Sequence, residues 1–154
     1  MEEELKRLKE ISNSLKRINS KVTLMRLIEC AKSEYDKYNY ADAKKSLLEG
    51  YNIDNQNSTV LRGLGCIEQF SGNYEKAIDY FQKALEKSQA KEVEYTLIGM
   101  AYYLQDKLDE ALEYFNLAID SNDDYIYAYE GRNQTMLENH LKILDLQEAL
   151  KKYF

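Results

Sequence analysis

One histidine and two cysteines are the side chains with the most obvious chemical use in this chain. A histidine serves as a general base only with a nucleophile within hydrogen-bond reach. His140 lies among Leu137, Leu141 and Leu144, which places it on a helix surface. Cys30 and Cys66 form no C-x-x-C pair and are expected to be reduced thiols without a disulfide, Cys30 as a small core residue. Asp120-x-Asn122-x-Asp124 copies the opening of a calcium loop. Tyr125 then stands where that loop needs Gly, and Gly131 where it needs a bidentate Glu. An inter-element turn is the expected role. Gly63-Leu64-Gly65 lacks the third glycine of a phosphate loop, and no strand precedes it. A metal site needs three or four ligands in one place. No catalytic residue, metal site or cofactor is therefore assigned, and the chain is expected not to be an enzyme.

The elements that would position these residues are helical. The chain has 154 residues, 44% hydrophobic and 31% charged, a balance that suits one folded domain rather than disorder. It has six glycines and no proline, too few turn residues for an all-β protein of this length. The start, Met1-Glu2-Glu3-Glu4-Leu5-Lys6-Arg7, is charged, and no long apolar run follows it. No secretory signal or membrane span is read, and a cytoplasmic location is expected. A net charge of −6 opposes binding to nucleic acid. The acidity is concentrated: residues 92–125 hold one lysine against nine carboxylates.

The pattern repeats. Leu64-Gly65 recurs as Ile98-Gly99, Ala77-Ile78 as Ala111-Leu112, Tyr80-Phe81 as Tyr114-Phe115 and Ala84-Leu85 as Ala118-Ile119, each pair 34 residues apart. Tyr40 and Ala43 lie one step before Tyr74 and Ala77, and Tyr129 one step after Tyr95. Within a unit the apolar period is helical, and Ser71-Gly72-Asn73 separates two helices, which makes an αα-hairpin. Gly65 and Gly99 sit inside predicted helices, where glycine costs about 1 kcal/mol against alanine. Their recurrence at one phase points to a close helix crossing.

These residues resemble the tetratricopeptide repeat, whose 34-residue pattern runs W-x₂-L-G-x₂-Y, then A-x₃-F, then P. Tyr95-x₂-Ile98-Gly99-x₂-Tyr102 with Ala111-x₃-Phe115 is a close match, and Leu61-x₂-Leu64-Gly65-x₂-Glu68 with Ala77-x₃-Phe81 departs only at Glu68. Unit 24–57 is weaker, with Leu27, Cys30, Ala31, Ala43 and Leu47. Unit 126–154 is partial: Arg132 and Asn133 replace Leu-Gly, and Asp145 takes the second helix's Ala slot. Gln89 and Asp123 stand where the family has proline. The resemblance implies an all-α, right-handed solenoid in a single domain, 1–154. Residues 1–23 form an N-terminal helix, 24–57, 58–91 and 92–125 repeats, and 126–154 a partial repeat with a capping helix. Helices are expected near 2–20, 24–37, 41–54, 58–71, 74–88, 92–105, 108–120, 126–139 and 141–153. Leu5, Leu8, Ile11, Leu15, Ile18 and Val22 form one apolar seam, and Ile143, Leu146, Leu150 and Tyr153 another. Such seams cover the ends of a stack; for 2–20 a dimerisation helix is the alternative.

The resemblance also implies a concave groove lined by the first helix of each pair. Its lining would include Ile28, Lys32 and Tyr35, then Arg62, Cys66 and Gln69. Val93, Thr96, Met100 and Tyr103 follow, then Tyr127, Glu130 and Gln134. Met and Tyr suit adaptable apolar anchors, and Gln, Arg and Thr suit a peptide backbone. The implied function is a protein-interaction module holding a peptide or protein segment. The alternatives are a small dedicated secretion-type chaperone or a non-catalytic regulatory fragment. The implied partner is protein or peptide, not nucleic acid or membrane, and the chain itself a monomer or weak homodimer. The positions of the clamp that grips acidic chaperone tails hold Ile28, Lys32, Gly63, Thr96 and Met100, which argues against that subclass.

Overall fold

The structure is a computed structural model that describes residues 1–151 and, of Ala149 and Leu150, the backbone alone. Among the described residues seven helices follow one another: α1 Glu2–Asp36, α2 Tyr40–Ile53, α3 Ser58–Phe70, α4 Tyr74–Leu85, α5 Lys91–Leu104, α6 Leu108–Ser121 and α7 Ile126–Lys151. Among the described residues there is no strand, and no helix is long and apolar enough to cross a membrane. The fold is all-α.

Five of the expected helices are found within a few residues, and the other four have fused into two. Residues 2–20 and 24–37 are one helix, as are 126–139 and 141–151; residues 152 and 153 lie outside the described residues. Neither expected break, at 21–23 or at 140, contains glycine or proline. With no residue to stop it, a helix continues through each.

Two kinds of turn recur at the repeat spacing. The first closes each helix pair. Tyr38, Gly72 and Asp106 have φ of 62°, 78° and 63°. The next residue's N–H returns to the carbonyl five positions back: Asn39 to Glu34 at 2.9 Å, Asn73 to Glu68 at 2.9 Å and Lys107 to Tyr102 at 3.0 Å. This is the Schellman ending, which favours glycine at the left-handed residue. Only Gly72 meets that preference; Tyr38 and Asp106 carry the strain of a side chain there.

The second kind joins one pair to the next. Asp54 Oδ1 accepts from the Gln56 N–H at 3.0 Å, Ser88 Oγ from the Ala90 N–H at 3.2 Å and Asn122 Oδ1 from the Asp124 N–H at 3.1 Å. A side-chain oxygen thus ties down the turn where the family pattern has a proline at the following position. Asp120–Asp124 is such a turn: α6 ends at Ser121 and Asn122 caps it. Asn57 Oδ1 starts α3 by accepting from the N–H groups of Thr59 and Val60, both at 3.1 Å.

A side-chain link reinforces the first kind of turn. Asn39 donates to Glu34 at 3.0 Å, and one repeat later Asn73 donates to Glu68 at 2.9 Å. Glu68 occupies the family's Tyr slot and is buried, with Lys76 also 3.2 Å away. One repeat further on, Tyr102 fills the slot and the Lys107 ammonium lies over its ring. Removing both Asn73 and Lys76, as Asn73→Ala with Lys76→Met, is expected to destabilise by about 3 kcal/mol, because it strips two partners from a buried carboxylate. Adding Glu68→Tyr should recover most of that loss, since Tyr102 already fills the slot one repeat on. Urea unfolding of the double and triple variants tests this; no recovery would mean the two slots are not equivalent.

The chain forms two compact units, Met1–Leu64 and Gly65 onward. In the first, α1 packs on α2 around buried Leu24, Ala31, Ala43 and Leu47. Cys30 is exposed rather than in the core: Ala31, one residue on, takes the buried position on α1. In the second unit each helix from α4 to α7 packs on the next, and α7 also touches α5. Ala77, Ile78, Phe81, Ile98 and Ala101 form a buried cluster there. Gly65 and Gly99 each lie against a phenylalanine ring. A Cβ on Gly65 would stand 2.4 Å from Phe81 Cε1, and one on Gly99 3.0 Å from two Phe115 carbons.

The two end seams expected as covers remain open to solvent. Leu5 through Val22 on α1, and Ile143 and Leu146 on α7, are exposed; the side chains of Leu150 and Tyr153 lie outside the described residues.

Candidate functional site

In the second unit α4, α6 and α7 all pack against α5. That enclosure decides which groove positions remain available. Thr96 is 4% exposed and cannot line a groove; its hydroxyl oxygen is buried with the helix that carries it. Val93 is half-buried. Toward the C-terminal end of α5, Met100 and Leu104 are exposed apolar side chains.

There α5, α6 and α7 enclose a hollow of 360 Å³, lined by Met100, Tyr103, Leu104, Phe115, Tyr127, Glu130, Gly131 and Gln134. Its floor is the Phe115 ring, itself 1% exposed. The ring reaches the hollow because Gly131 has no side chain: a Cβ there would lie 2.4 Å from Phe115 Cε1. Met100, Leu104 and Tyr127 leave apolar surface in solvent around the mouth.

One edge is wired together. Gln134 Nε2 donates to the Tyr103 hydroxyl at 3.2 Å. That hydroxyl donates in turn to the Glu138 carboxylate, which, with partial burial of the ring, raises the phenol above its ordinary value of 10.0. Lys142 lies 4.0 Å from Glu138 and forms a closer ion pair with Asp106 at the end of α5. The hydrogen bond to Asp106 raises the Lys142 ammonium above 10.5. These groups fasten α7 to α5, and Glu138 is engaged by both Tyr103 and Lys142.

The sign of the pH dependence follows from the raised phenol. Folding favours its protonated form, so this contribution is complete below the unfolded value near 10.0 and is lost as pH rises through the higher folded value. The difference in phenolate absorbance between the wild-type chain and Tyr103→Phe should show a midpoint above 10.0. Glu138→Gln should move that midpoint down; an unmoved midpoint would remove Glu138 as the cause.

Of the residues expected to line the groove, the hollow brings together Met100, Tyr103, Tyr127 and Glu130, with Gln134 beside them. The others are elsewhere. Lys32 is exposed on α1 and Arg62 half-buried on α3, both in the first unit. Cys66 packs against the second unit's buried cluster rather than standing free. Gln69 is half-buried, with its amide oxygen enclosed. Leu104, Phe115 and Gly131 were not expected at the site. Phe115 was legible only as core, and Gly131 only as a position that failed a calcium loop. Its place inside a helix was the usable signal, since a mid-helix glycine implies a close neighbour.

Comparison with known proteins bears on the fold that presents this hollow. Residues 58–90 and 95–125 each match a tetratricopeptide repeat family model. No curated protein matches the chain in sequence. Among solved structures, the Thermobaculum terrenum O-GlcNAc transferase is similar over 76% of this chain, with 17% identity and a TM-score of 0.72; this chain spans 22% of its length. The second tetratricopeptide domain of human RPAP3, in complex with the HSP70 peptide SGPTIEEVD, is similar over 76% of this chain and 98% of that one, with 14% identity and a TM-score of 0.69. The Yersinia enterocolitica type III secretion chaperone SycD, in complex with a peptide of the translocator YopD, covers 76% of this chain and 95% of that one, with 20% identity and a TM-score of 0.68. At such identities the likeness is one of fold.

Proposed function

This chain is a tetratricopeptide-repeat protein, and we propose that it is a protein-interaction module that takes an apolar side chain of a partner segment into the hollow between α5 and α7. The observation that carries this reading is the hollow itself: a buried aromatic floor under a mouth of exposed Met100, Leu104 and Tyr127. Burying one aliphatic or aromatic anchor there would contribute about 1.5–3 kcal/mol, and the adaptable thioether of Met100 suits more than one anchor shape. Gln134 and Glu130 at the rim offer polar groups to a segment's backbone or to a cation beside its anchor. The lining is mostly apolar, with Glu130 and Gln134 as polar groups, which suits the binding of an apolar anchor.

Glu130 at the rim and a net charge of −6 disfavour an acidic partner segment. That sets this hollow apart from a site for the acidic peptide in the RPAP3 structure. A dedicated secretion-type chaperone is the second reading. It is favoured by the likeness to SycD, of whose length this chain spans 95%, and it would use the same hollow. The test is selection of peptides from a displayed random library on the immobilised full chain. Enriched sequences should share an aliphatic or aromatic residue and lack runs of acid. Enrichment of acidic sequences without an apolar anchor would sink the proposal.

A further inference from the structure

The N-terminal part of α1 carries an unpartnered seam with a regular period. Leu8, Ile11, Leu15, Ile18, Val22 and Met25 follow in alternating steps of three and four residues. All six are between 54 and 63% exposed, although each is a large apolar side chain. In heptad terms they fill every core position over roughly 27 Å of helix. We propose that this seam pairs with the same seam of a second copy as a short antiparallel coiled coil, so that the protein self-associates through α1. The interface is separate from the hollow of the second unit and does not depend on the binding reading given for it.

The flanking residues argue for a second copy and for its direction. A parallel pair would place Lys21 of one chain beside Arg26 of the other, twice over, and like charges at these positions oppose pairing. An antiparallel pair sets Leu8 opposite Met25 of the second copy, Ile11 opposite Val22 and Leu15 opposite Ile18. Its flanks then bring Ser14 beside Lys21, and Ser12 beside Asn19, with no repulsion. All six core positions are used, and each hydrophobic layer meets its match.

A membrane surface fits less well. The apolar stripe is two residues wide per heptad, bordered by Ser12, Ser14 and Asn19, which is a coiled-coil seam rather than a broad lipid-facing side. Of the six seam residues, Ile18 also borders a hollow beside Leu24 and Ile53, whose other lining residues are Lys16, Arg17, Ser20, Lys21 and Asp54.

The experiment uses the full chain. Sedimentation over rising concentration should show a monomer converting to a dimer, and Leu15→Glu with Ile18→Glu should keep it monomeric while its thermal unfolding matches that of the wild-type chain at concentrations where the wild type is monomeric. A wild-type chain monomeric at every concentration overturns the proposal, as does a dimer that survives the double substitution. Direction is read by disulfide trapping in a Cys30→Ser, Cys66→Ser background. A mixture of Leu15→Cys and Ile18→Cys chains should cross-link mainly with each other. Leu15→Cys linking mainly to itself would refute the antiparallel register. Mixing with phosphatidylcholine–phosphatidylserine vesicles is the third arm: vesicle binding by a chain that never dimerises gives the seam to a lipid surface instead.

Discussion

Gly65→Leu is expected to destabilise the second unit by about 4 kcal/mol or more. The effect comes from one contact. A Cβ on Gly65 would sit 2.4 Å from Phe81 Cε1 and 2.7 Å from Cδ1, far inside van der Waals contact. The Phe81 ring is fully buried in the cluster with Ala77, Ile78, Ile98 and Ala101. It has no solvent to swing into, so relief requires α3 and α4 to separate and the cluster to open. Gly65→Ala meets the same ring, but alanine's better helix propensity offsets about 1 kcal/mol of the clash. Gly99→Leu should cost less than Gly65→Leu, though still several kcal/mol, because the corresponding approach to Phe115 is 3.0 Å. Gly50→Ala should be mildest. That residue is buried inside α2, and its nearest neighbour is the tip of Leu24 at 3.2 Å, which can rotate away. Urea unfolding of the four variants gives the order. Gly65→Leu unfolding at the wild-type midpoint would refute the close crossing of α3 and α4.

The glycine contact was legible in the sequence as a recurrence, and so was the helix-pair frame, because a 34-residue period records the same packing problem solved again. What the period could not reveal lay where the repeats end. In α1 and α7 the expected helices fused, since the pattern marks slots and says nothing of a boundary that no glycine or proline enforces. The seams of Leu8–Met25 and of Ile143 and Leu146 were visible as apolar periodicity, but periodicity does not say what covers a face. The candidate site was half legible. Met100, Tyr103, Tyr127 and Glu130 follow from counting along the first helix of each pair. Thr96 was misplaced because the count ignores how fully α4, α6 and α7 enclose α5. The floor escaped because it belongs to α6, a second helix, and becomes visible only through the gap at Gly131.

Met100→Glu is expected to weaken binding of a selected apolar-anchor peptide by about 100-fold, the scale of losing an interface hot spot. Met100 stands at the mouth of the hollow, above Phe115 and beside Leu104 and Tyr127. A glutamate there would meet an incoming aliphatic group with a carboxylate that must shed water to admit it, and Glu130 on the same lining adds a second negative charge. Met100 is 42% exposed in the free chain, so the substitution should leave helicity and unfolding nearly unchanged. Leu104→Glu should act in the same direction. Tyr103→Glu is a poorer probe: it would remove the hydroxyl that joins Gln134 to Glu138 and set two carboxylates together, loosening α7 from α5 as well as spoiling the hollow. The contrasting variant reverses the acidic start of α6. Glu110 and Glu113 are exposed and lie outside the hollow's lining. Their charges act on Tyr102, whose hydroxyl burial and neighbouring Tyr114 and carboxylates hold above its ordinary value. Glu110→Lys with Glu113→Lys should therefore change peptide affinity by less than about threefold at ordinary salt, with a small loss of stability from placing cations at a helix start. Fluorescence anisotropy of one labelled peptide against all the variants decides the matter. If the α6 reversal abolishes binding and Met100→Glu does not, the partner docks on the outer helices and the hollow is not its site.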